Sequence, residues 1–168
     1  MNFIQGCLCL LITGSVGAVS VFFVGHVVYA IALNWAIAAD QFVSNPLEGS
    51  ENYGELYAFL LNSLLYLFAG LVVGVIATVQ IARTSHLWSS STWWRVRLLM
   101  LIGELATCLG VGLLLGLSTA GNAYPQLRSP NAPTTGYGLW QLFLTLGGIG
   151  LLGTYFWLPR LIGVRQRF

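Results

Sequence analysis

RVRLLMLIGELATCLGVGLLLGL, from Arg95 to Leu117, is the stretch that decides how this chain is read. Two arginines stand at its entry, and the apolar run Leu98–Leu117 that follows holds a single charge, Glu104. Twenty helical residues cover roughly 30 Å, which is the thickness of a bilayer's hydrocarbon core. Glu104 comes seven residues after Arg97, on the order of 10 Å into that layer at about 1.5 Å per residue. A carboxylate at such a depth costs roughly 2.5–3.5 kcal/mol even on insertion scales, unless it is protonated, paired or facing water.

Outward from this run the pattern repeats. Only 7% of the residues are charged, 57% are hydrophobic, and the mean hydropathy is +0.78. A soluble domain carries about 25% charged residues, so the bilayer must act as solvent for most of this chain. We expect an all-α integral membrane protein: a four-helix antiparallel bundle forming one membrane domain over residues 1–168, with spans near 16–38, 56–81, 98–117 and 137–158. The first apolar segment, Phe3–Ala39, is longer than one upright span needs. Gly14, Ser15, Gly17 and Ser20 loosen its first half, so the span is placed at Val16–Ala38, with residues 3–15 as an extension. Met1-Asn-Phe-Ile-Gln carries no side-chain positive charge, and a cleaved signal peptide is not expected.

Charge placement sets the expected orientation. Arg83, Arg95, Arg97, Arg160, Arg165 and Arg167 flank the second connection or lie in the tail, and Arg128 is the one basic residue elsewhere. Basic flanks stay in the cytoplasm, which puts both termini and the second connection there. The first loop, Asp40–Glu55, holds Asp40, Glu48, Glu51 and Glu55 and faces outward, as does the third, Ser118–Gly136. Trp88, Trp93 and Trp94 beside the basic turn read as an interfacial aromatic belt. A cell inner (plasma) membrane is expected, and an internal membrane such as a thylakoid fits equally.

Phe23-Val-Gly25-His26-Val resembles Leu101-Ile-Gly103-Glu104-Leu, and Tyr53-Gly54 with Phe59-Leu60 resembles Tyr137-Gly138 with Phe143-Leu144. A tandem duplication of that kind would set His26 and Glu104 at matching depth.

Glu104 and His26 are the intramembrane ionisable candidates. Glu104 suits a proton-binding carboxylate or a cation site, or a structural acid that fixes helix register. His26 suits a haem or pigment ligand, a proton relay, or a partner for Glu104, since two buried groups that meet cost less than two orphans. Gly70-x-x-x-Gly74, Gly112-x-x-x-Gly116, and Gly147 with Gly150 are candidate helix-packing positions, because a missing Cβ lets backbones approach. Cys7, Cys9 and Cys108 make no CxxC motif and read as small apolar residues.

No catalytic group and no metal-ligand cluster is expected: HExxH, GxSxG and GxxxxGK[ST] do not occur, and the chain has no lysine for a Schiff base. Nucleic-acid binding lacks a basic surface. The first loop lacks the cysteines that mark tetraspan and claudin-like proteins. The expected partners are the lipid bilayer and other membrane subunits or further copies of the chain; the cofactor is unknown. The leading expectation is an accessory or assembly subunit of a larger membrane complex. A small proton-coupled transporter using Glu104 and His26 is the alternative, and a haem- or pigment-binding subunit with His26 as ligand is a further one.

Overall fold

The computed structural model describes residues 3–41, 53–87, 93–128 and 135–161. These form four α-helices, α1 (Phe3–Gln41), α2 (Tyr53–Thr84), α3 (Trp93–Arg128) and α4 (Thr135–Leu161), with a short 3-10 turn at Ser85–Leu87. No strand occurs among the described residues. Glu48, Glu51, Trp88, Arg165 and Arg167 lie outside them.

Lipid offers no hydrogen bonds, so a chain this apolar must satisfy its backbone within each segment, and helices do so. Four stretches are long and apolar enough to cross a membrane: Phe3–Ala36, Phe59–Thr84, Trp93–Gly121 and Leu142–Leu161. Their surfaces match, because Phe3, Leu11, Phe23, Leu64, Phe68 and Phe143 are all strongly exposed large apolar side chains.

The helix ends differ from expectation in two places. α1 runs unbroken from Phe3, and Gly14 and Gly17 do not loosen it. They are where α1 lies closest to α2, and that contact supports the helix through them. The sequence suggests a third loop from Ser118, but α3 continues to Arg128. Ser118, Thr119 and Ala120 are buried, and the Thr119 hydroxyl pairs with that of Tyr66. Tertiary packing thus outweighs the weak helix preference of Ser and Thr.

Specific contacts fix how the helices lie. Gly17 meets Gly70, Thr13 meets Thr78, and His26 meets Ser63, so the start of α1 packs on the end of α2. Thr84 reaches Met100 and Tyr66 reaches Thr119, which runs α3 against α2 in the same head-to-tail sense. Gly103 lies against Leu158 and Gly110 against Leu151, which does the same for α4 on α3.

On α2, Ser63, Tyr66, Gly70, Val73, Ala77, Gln80 and Thr84 are all buried. Their alternating spacing of three and four is that of a coiled-coil seam. On α3, Met100, Glu104, Thr107 and Val111 follow the same rhythm. The shared core is Val21, Tyr66, Val73, Ala77, Cys108, Val111 and Tyr155. Glu104 therefore occupies a seam position, one that in a soluble bundle would hold leucine.

At one end of the helices, arginines lie over aromatic rings: Arg83 over Phe156 at 4.5 Å, Arg95 over Trp94 at 5.5 Å, Arg97 over Trp93 at 5.8 Å, and Arg160 over Trp157 at 4.1 Å. Stems in apolar surroundings with cationic heads on ring faces suit a membrane–water boundary.

Candidate functional site

Near this arginine end, a cavity of about 360 Å³ lies between α1, α2 and α3. α1 lines it with Gln5, Cys9, Ile12 and Thr13, α2 with Ala77, Ile81 and Thr84, and α3 with Arg97, Met100 and Glu104, while Tyr155 closes it from α4. Glu104 is only 4% exposed, and its Oε1 is buried without a hydrogen-bond partner among the described residues. The α3 seam makes this happen: the register that buries Met100 and Val111 also turns Glu104 inward.

The polar groups around the cavity are mostly occupied with holding helices. The Thr13 hydroxyl lies 3.0 Å from the Gly74 carbonyl and 2.8 Å from the Thr78 hydroxyl, bridging α1 and α2. Thr84 donates to the Gln80 carbonyl at 2.9 Å. Fully buried Gln80 donates its Nε2 to the Tyr155 carbonyl. The sequence of α4 explains that bond. Pro159 stands four residues after Tyr155, and a proline has no N–H to offer the carbonyl four residues back. Gln80 supplies the missing donor from α2. Its own Oε1 is left buried without a partner among the described residues.

His26 is elsewhere. Its Nε2 is 2.9 Å from the Ser63 hydroxyl, and its ring stacks on Phe59 and sits edge-on to Phe22 and Tyr66. The Ser63 hydroxyl also lies 2.7 Å from the Phe59 carbonyl. The expected meeting of His26 with Glu104 does not occur, and the packing register is the reason. Gly25 lies against Gly112 and Gly116, which sets His26 about 12–18 Å further along the bundle than Glu104 at about 1.5 Å per residue. The matching depth implied by a tandem repeat is absent for the same reason.

The glycines divide into two groups. A Cβ on Gly70 would strike the Gly17 carbonyl, and one on Gly74 would come within 2.6 Å of the Thr13 carbonyl. Cβ atoms on Gly112 and Gly116 would come within 2.8 Å of Val24 and Val28 side chains on α1. These four positions are closed by neighbours. Among the described residues Gly147 has only ordinary contact with Leu114, at 3.4 Å, and Gly148, Gly150 and Gly153 meet nothing within 4 Å. Gly150 and Gly153 share a face of α4 with Phe143, Leu146 and Trp157, three exposed side chains at the same three–four spacing.

Gln80, Thr13 and the Tyr155–Pro159 pair do not stand out in the sequence. Gln80 carries the one signal that could have found it, since it follows Val73 and Ala77 at seam spacing inside an apolar run, where an amide needs a partner. Among the described residues no group of three or more His, Cys, Asp or Glu could hold a metal ion. Comparison with family models, characterised proteins and solved structures gives no match.

Proposed function

We propose that this chain is a four-helix antiparallel bundle of a cell inner (plasma) membrane, with both termini cytoplasmic, acting as an accessory or assembly subunit of a larger membrane complex. The observation that carries the reading is the uncovered face of α4. Glycine inside a helix costs roughly 0.5–1 kcal/mol relative to alanine. At Gly17, Gly70 and Gly74 the missing Cβ admits a neighbouring helix. At Gly150 and Gly153 nothing among the described residues takes up the space, and association of helices in lipid relies on such close approach. A helix from another subunit, seated between Leu146 and Trp157, would use it.

Purification in a gentle detergent, followed by native electrophoresis and mass spectrometry of the bands, tests the reading. The wild-type chain should migrate with stoichiometric partners or copies of itself, and Gly150→Leu with Gly153→Leu should release it as a folded monomer. A wild-type chain that runs as a monomer from native membrane nanodiscs would overturn the proposal.

A second reading, a small proton-coupled carrier, is favoured by one observation, the unpartnered Glu104 Oε1 beside a cavity. His26 does not line that cavity, so the carrier reading rests on Glu104 alone.

A further inference from the structure

We infer that the Glu104 cavity is a binding site for a small amphipathic cation, an apolar body carrying one positive charge. The inference is independent of assembly through α4, and it holds whether or not the chain moves its ligand across the membrane.

Size comes first. About 360 Å³ lies within the range of small-molecule sites, roughly 300–1,000 Å³. The lining chemistry comes second. Leu8, Ile12, Val16, Met100 and Leu101 give the cavity predominantly apolar walls, so it suits a ligand with an apolar body better than a hydrated ion. Leu8, Ile12 and Leu101 are themselves more than half exposed on the outer surface of the helices. The crevice between α1 and α3 is therefore bounded by side chains that acyl chains would touch, and a lipid-soluble body can enter sideways.

Charge decides the sign. Glu104 is more than nine-tenths buried and contributes to the cavity wall, and its Oε1 has no donor among the described residues. An intramembrane carboxylate is stabilised by pairing or by water. A ligand cation placed against it supplies opposite charge, a neutral ligand supplies at most a hydrogen bond, and an anionic ligand repels it. Arg97 also lines the cavity, two helical turns before Glu104, with its guanidinium over Trp93. An anionic amphiphile could approach Arg97 but would leave the deeper carboxylate as it was.

The test uses three probes of one shape. Benzyltrimethylammonium, neopentylbenzene and phenylmethanesulfonate share a benzyl body and a compact tetrahedral head, and differ in charge. Binding of radiolabelled benzyltrimethylammonium to the full chain in nanodiscs is measured by scintillation proximity, with the other two as competitors. The expected result is saturable binding of the cation, with both competitors at least tenfold weaker than unlabelled cation. Glu104→Gln should weaken binding at least tenfold. Ile12→Trp, at an exposed position that fills the cavity and leaves the carboxylate in place, should do the same. Absence of saturable binding, equal competition by neopentylbenzene, or wild-type affinity in either folded variant overturns the inference. If Glu104→Gln does not fold, the competitor order on the wild type and the Ile12→Trp variant decide it.

Discussion

Gln80 and Pro159 form a pair that only the folded chain brings together. The proline removes a helix bond from the Tyr155 carbonyl, and the amide replaces it. Removing one partner of a buried polar pair costs about 1–3 kcal/mol. Gln80→Leu should destabilise the protein by about that amount. In a Pro159→Ala background the backbone N–H regained at that position can bond the Tyr155 carbonyl instead, so the same leucine should cost less, and a double-mutant cycle by chemical denaturation in micelles reads the difference. Equal costs in both backgrounds would count against the pairing. His26 and Glu104 give the opposite expectation. They share no contact, so the effects of His26→Ala and Glu104→Gln should add to within about 0.3–0.5 kcal/mol. Glu104 and His26 stand out in the sequence, because an acid and an imidazole inside apolar runs demand explanation. Their partners do not. Phe22 adjoins His26 one turn away on α1, but Ser63 and the Phe59 and Tyr66 rings reach it only once the register of α1 on α2 is set, and glycine contacts far along the chain set it.

At the scale of an element, α2 and α4 use glycine differently, and substitution should separate them. Gly70→Ala places a methyl against the Gly17 carbonyl and the Ala18 Cα. Overpacking of this kind costs typically about 1–3 kcal/mol, and here backbone has to move. Gly150→Ala meets open space, so the isolated chain should gain about 0.5–1 kcal/mol from the better helix former. Thermal unfolding of the two variants in the same detergent should therefore shift in opposite directions. A loss for Gly150→Ala as large as that for Gly70→Ala would contradict the open face. Helix existence was readable from apolar run length, since the bilayer fixes the needed length. Helix ends were less so: Ser118 to Gly121 look like loop until Tyr66 is seen to engage Thr119.

For the whole molecule, the arginine-on-aromatic contacts gather at the end formed by the close of α2, the start of α3 and the close of α4. The cavity opens near the same end. If that end faces the cytoplasm, a reporter that fluoresces only in the cytoplasm should light up when fused to either terminus. One that works only outside should be active when inserted in the 42–52 segment. The reverse pattern would invert the orientation and move the cavity to the outer leaflet. Four long apolar helices were legible because hydropathy marks four separate runs. The open face of α4 was not, because the sequence shows a run of glycines without showing which of them a neighbour fills.

The glycine contacts also foretell what a genetic screen would recover. A side chain added at Gly103 or Gly110 collides with the tips of Leu158 or Leu151, so trimming those leucines could restore the protein. One added at Gly17 or Gly70 collides with main chain, and main chain cannot be trimmed. Suppressors should arise readily for the first pair, and for the second only true revertants.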